Sequence, residues 1–136
     1  MNIFLQPGTK APTRAHGTDA GMDLYSRETM LVPAHGSAVF KTGVHVCLPH
    51  CTAGFLKSKS GLNTLYNITS DGVIDEGYSG EIVVKLYNHG DEDYWVNEGE
   101  KISQLVIVPV RYEEIKIVDR ITGGERGNNG FGSTGK

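Results

Sequence analysis

Apolar positions along the chain fall in short runs rich in Val, Ile, Tyr and Phe, and Gly, Asn, Asp and Pro separate the runs. Helical spacing is almost absent, and this punctuation predicts many short strands. Ala38–Lys41, Val44–Leu48, Glu81–Tyr87 and Ile102–Val108 read as strands. Some alternate in polarity, and others are continuously apolar as if covered on both faces. Only Ser60–Tyr66 suits a helical turn or two, with Ser60 as its N-cap. The expected fold is therefore all-β, a barrel or sandwich with one short helix. Residues 1–122 form the β domain, and residues 123–136, with six glycines in fourteen positions, form a flexible Gly-rich C-terminal tail.

The length of 136 residues supports one domain with a packed core. No apolar run reaches the length of a membrane span, and the N-terminus lacks the basic-then-apolar layout of a signal peptide. A cytoplasmic protein without membrane contact is expected. A net charge of -3 offers no global positive field for nucleic acid, so an anionic ligand must be caught by local geometry. His45, Cys47, His50 and Cys51 raise the question of zinc, but Pro49 interrupts them and the spacing is unlike that of zinc sites. Half-buried strand residues and reduced thiols are the expectation instead.

Five constellations could carry chemistry. The tail holds Arg126, able to fork onto a phosphate, Phe131, able to stack on a base, and the hydroxyls of Ser133 and Thr134 among glycines that let the backbone approach an anion. Gly72–Glu81 reads as a β-hairpin, with Asp75 placed after the apolar pair Val73-Ile74 where a general base could be held. Ser58-Lys59-Ser60-Gly61 puts a cation and hydroxyls at a helix start, which suits phosphate. Ala20–Ser26 holds the lone acid Asp23, and Gly99–Val106 reads as a turn entering a strand that carries Gln104.

Ala-Gly-Met-Asp-Leu, Lys-Ser-Gly-Leu, Gly-Val-Ile-Asp-x-x-Tyr-x-Gly, Gly-Glu-Lys-Ile-x-Gln-Leu and Arg-Gly-x-x-Gly-Phe-Gly-Ser-Thr-Gly follow one another from Ala20 to Gly135. In this order they resemble the five motifs of the all-β dUTPase family. The resemblance implies a distorted jelly-roll and a homotrimer whose active sites lie between subunits. It also implies hydrolysis of dUTP to dUMP and pyrophosphate with Mg²⁺, which limits uracil in DNA and supplies dUMP for thymidylate synthesis. Asp75 would activate the water that attacks the α-phosphorus, and Gln104 would help place it. Val73, Ile74 and Val83 would read uracil, and Tyr78 would pack on the deoxyribose. Lys59, Ser60 and Gly61 would grip phosphates, and Asp23 would meet Mg²⁺ through water, the metal being held mainly by the triphosphate. Arg126, Gly132, Ser133 and Thr134 would close on the outer phosphates, with Phe131 over the base.

The motifs depart from the family pattern at several positions. Lys59 replaces a usual Arg, so a fork becomes a point charge. Gly77 stands for a common Asp and Ser79 for a common Arg. Thr69 occupies the place of an Asn that contacts uracil in many members, with Asn67 close by. Two other functions compete. A dCTP deaminase of the same fold looks for a Glu where this chain has Lys85. A regulatory protein that senses dUTP usually leans on an inserted segment, for which the chain has little room.

Overall fold

The computed structural model describes residues 1–125, 127 and 128. Ten strands and one short helix follow in the order β1 (Asn2–Leu5), β2 (Gly21–Tyr25), β3 (Met30–Val32), β4 (Ser37–Lys41), β5 (Val44–Cys47), β6 (Thr52–Lys57), α1 (Ser60–Tyr66), β7 (Ile68–Ile74), β8 (Val83–Asn88), β9 (Tyr94–Val96) and β10 (Lys101–Pro109). Six strands form one antiparallel sheet in the order β2-β10-β6-β7-β8-β4, and β1-β5 and β3-β9 form two-stranded ribbons beside it. The expected all-β fold is thus present, with strand ends shifted by one or two residues.

Burial follows side-chain alternation. In β8, Val84, Leu86 and Asn88 point inward and Val83, Lys85 and Tyr87 outward. The core gathers Leu24, Phe40, Ile68, Ile82, Leu86, Ile102 and Leu105, all fully buried. All five residues of β2 are buried, although it holds an aspartate.

A bulge in β10 between Lys101 and Ser103 breaks its register against β2. Ile102 and Ser103 are consequently both buried, and Gln104 falls opposite Asp23 on β2 and Lys57 on β6. The sequence reading had Ser60 as the cap of α1. The structure puts Lys59 at the N-cap, without a side-chain cap bond, and the helix ends at Asn67 in the left-handed region. A seven-residue helix gains little from a cap, so the position is free for other chemistry.

The expected hairpin over Gly72–Glu81 opens at its tip. Ladder pairing between β7 and β8 covers only Ile68–Ser70 against Leu86–Asn88. From Asp71 onward β7 pairs with β6 instead. The two strands splay apart, and residues 75–82 close the end as a wide loop.

Candidate active site

The splayed hairpin encloses a cleft of about 510 Å³ lined by Val73, Ile74, Asp75, Tyr78, Val83 and Lys85, among others. That volume accommodates a nucleoside. Tyr78 lies across the loop, where its hydroxyl donates to the Glu81 carbonyl at 3.0 Å. A Cβ on Gly80 would come within 2.3 Å of that hydroxyl, so only glycine admits the ring there. Gly77 has φ +89°, which accounts for glycine where a side chain is common. The polar support that Gly77 and Ser79 lack comes from neighbouring elements: the His45 ring bonds the Ser79 carbonyl at 2.9 Å, and Glu81 accepts from the Gly43 N–H at 2.8 Å.

A second group of predicted residues gathers at the other end of β6. Asp23 is 4% exposed, and Lys59 and Lys101 (the latter at 2.7 Å) each hold one of its oxygens. Burial pushes this carboxyl up, but the hydrogen bonds from Lys101 and Lys59 outweigh it and keep Asp23 below its ordinary value. The same contact raises Lys101. Gln104 donates to the Ser58 carbonyl at 3.0 Å, and a buried Ser70–Ser103 contact of 2.8 Å lies beneath. Gly21 leaves room for Gln104, whose Oε1 would lie 2.4 Å from a Cβ placed there. Ser60 and Gly61 are exposed at the start of α1, in front of this group.

Ile74 pairs with Gly54 on β6, whereas Gln104 pairs with Lys57. Asp75 and Gln104 are therefore about four residue rows apart, about 13 Å along the strands at the usual rise, and two strand spacings across. Within one chain they do not share a water. Thr69 lies in the β7–β8 ladder opposite Tyr87 with its hydroxyl 2.8 Å from His89, outside the lining of the cleft, as is Asn67. Arg126, Phe131, Gly132, Ser133 and Thr134 lie outside the described residues.

The expected metal question at His45, Cys47, His50 and Cys51 resolves into separate places. His45 faces the hairpin loop, His50 bonds Glu76 at 2.7 Å, and both cysteines are exposed, Cys51 in a turn with φ 56° rather than in a strand. Among the described residues no group of three or more His, Cys, Asp or Glu is placed to hold a metal ion. Lys101, His45 and Glu76 are contributors that sequence reasoning missed. Lys101 lies inside a quoted motif, but its partner is distant in sequence.

A family model described as dUTPase matches residues 8–135. The deoxyuridine 5'-triphosphate nucleotidohydrolase of Crocosphaera subtropica is 43% identical over 136 residues, covering 98% of this chain and 96% of its own. That of Candida albicans is 39% identical over 140 residues, covering 100% of this chain and 88% of its own. Among solved structures, a Staphylococcus bacteriophage 80alpha dUTPase with dUPNHPP superposes with a TM-score of 0.92 at 33% identity, covering 99% of this chain and 98% of that one. A dUTPase from phage phi11 of S. aureus, in which a structural Mg(II) ion is described, has a TM-score of 0.80 at 31% identity, covering 88% and 96%.

Proposed function

The chain belongs to the dUTPase family and is a dUTP diphosphatase, and from that premise we propose how its residues divide the reaction between copies of the chain. The observation that carries the proposal is the separation of two half-sites at opposite ends of β6. One end holds the base and sugar cleft with Asp75. The other holds Asp23, Lys59, Ser60, Gly61 and Gln104. A homotrimer lets the cleft of one copy face the phosphate end of the next, as closed symmetry permits. The exposed apolar residues Tyr112, Ile115, Ile117, Val118 and Ile121 support it, since such a stretch calls for a covering partner.

In this reading, Val73 and Ile74 on β7 and Val83 on β8, where these two strands no longer pair with each other, read the uracil edge between them as a neighbouring strand would, and Tyr78 packs on the sugar where a 2′-hydroxyl would sit. Asp75 takes a proton from water as its oxygen bonds to the α-phosphorus. The bond to the bridging oxygen breaks, and pyrophosphate leaves. Gln104 orients that water from the adjoining copy. Lys59 exchanges Asp23 for phosphate oxygens, and Lys101 stays behind as the counterion of Asp23. Arg126, Gly132, Ser133 and Thr134 bind the outer phosphates, with Phe131 on the base.

The donor set fits a magnesium ion carried by the triphosphate. Asp23 keeps Lys101 on one oxygen when Lys59 turns to the phosphates, so contact through a water of hydration suits it better than direct ligation. Bound there, Mg²⁺ would supply charge neutralisation along the phosphates. Among the described residues no helix is long and apolar enough to cross a membrane. Two free exposed cysteines support a reducing, cytoplasmic setting.

Complementation tests the division. Asp75→Asn chains are expected to lose at least about 10²-fold in turnover, and Gln104→Ala chains about 10-fold. Co-refolded in equal amounts, they should regain about one working site in four if the sites are shared around a threefold axis. No recovery, with mixed oligomers demonstrated, would place both residues in one chain's site and refute the division.

A further inference from the structure

Glu76 is next to Asp75 in the chain but points to the other side of the hairpin loop. There it lines a second cavity of about 550 Å³ with Thr52, Phe55, Val73 and Tyr112, and Asp75 borders both this cavity and the cleft. Its Oε1 accepts from His50 Nδ1 at 2.7 Å. Its Oε2 accepts from the Cys51 N–H at 2.8 Å and from the Tyr112 hydroxyl at 2.6 Å. One carboxylate thus receives three short, charge-assisted bonds. They come from the turn between β5 and β6 and from the first residues after β10, where the chain sets off toward the tail. The carboxylate holds Tyr112 up at about 12, and its three donors hold Glu76 down at about 2.

Among the described residues no hydrogen bond holds the side chain of Asp75. Its position is set by the backbone beside it, and the nearest anchored side chain along the chain is that of Glu76. We propose that Glu76 is a positioning residue of the reaction, a clamp that ties the loop carrying Asp75 to the β5–β6 turn and to the root of the C-terminal arm. The inference rests on Asp75 as the base. Both catalytic placement and the direction in which the arm departs then depend on one group. A displacement of about 1 Å at a base is enough to slow chemistry by an order of magnitude or more.

The test uses the full chain with Glu76→Gln, Tyr112→Phe and the double variant. Glu76→Gln should lower kcat about 10-fold, while KM for dUTP and the affinity for dUMP stay within about 2-fold. Tyr112→Phe should lower kcat about 3-fold, and the double variant should match Glu76→Gln alone instead of showing the product of the two losses. Tyr112 is 64% exposed, so its variant keeps the fold even where Glu76→Gln does not. Amide exchange at Cys51 and along residues 112–121 should quicken in Glu76→Gln. Unchanged kcat in the folded Glu76→Gln variant, multiplicative losses, or unaltered exchange would overturn the clamp. An active Asp75→Asn control would instead fail the base assignment, and exchange would still decide the clamp.

Discussion

Replacing Gly21 with Ala tests the contact on which the phosphate end is built. The new Cβ would lie 2.4 Å from Gln104 Oε1, 3.0 Å from its Cδ and 2.9 Å from its Cβ. The first two contacts are relieved when the Gln104 side chain swings away, which breaks its 3.0 Å bond to the Ser58 carbonyl. The third is not relieved, because the Cβ of Gln104 moves only with strand β10, so β2 and β10 must separate by a few tenths of an ångström. Overpacking of this kind costs roughly 1–3 kcal/mol, and the lost hydrogen bond about 1 kcal/mol. The φ of Gly21 lies outside the left-handed region, so alanine recovers roughly 0.4–1 kcal/mol through the unfolded chain. The net loss is about 1–3.6 kcal/mol, a fall in Tm of about 3–14 °C for a domain of this size. Thermal unfolding at matched protein concentration gives the stability, and steady-state hydrolysis of dUTP gives the activity. With Gln104 displaced, kcat should fall about 10-fold. A variant within 1 °C of wild type in Tm and equal to it in turnover would show that Gln104 neither packs on Gly21 nor places the water.

Three further outcomes are expected. Ending the chain after Glu125 should spare oligomerisation and dUMP binding yet remove most turnover, because the proposed mechanism gives the outer phosphates to Arg126, Ser133 and Thr134; full turnover would make the tail a frayed end. UTP should compete poorly with dUTP, and Tyr78→Ala should narrow the gap, whereas comparable wild-type affinities would release Tyr78 from that role. Acid should destabilise the protein through Glu76 and Asp23, whose carboxyls are held low when folded: their contribution is present above the ordinary values of 4.5 and 3.8 and, for Glu76, is lost as pH falls toward about 2. The acid limb of unfolding should therefore be shallower in Glu76→Gln, and an identical limb would contradict the sign of that shift.

The sequence by itself determined the class of fold, because period-two alternation in segments such as Val83–Asn88 survives only as strands. It determined the order of the motifs and, through them, the family. Candidate residues could be picked out wherever one short segment carried them, as with Asp75 after Val73-Ile74, which lines the cleft. Pairing between distant segments was not legible, because a residue's sheet partner depends on register across the whole sheet. The tertiary structure decided that a bulge near Ile102 sets Gln104 opposite Asp23, that Asp23 is shared by Lys59 and Lys101, and that Glu76 bonds to His50, Cys51 and Tyr112. It also decided that β7 leaves β8 for β6 after Ser70, which opens the cleft and sets Asp75 and Gln104 at opposite ends of β6. Hydrophobic patterning specifies which face of a strand is buried, but only the assembled sheet specifies which strand ends meet.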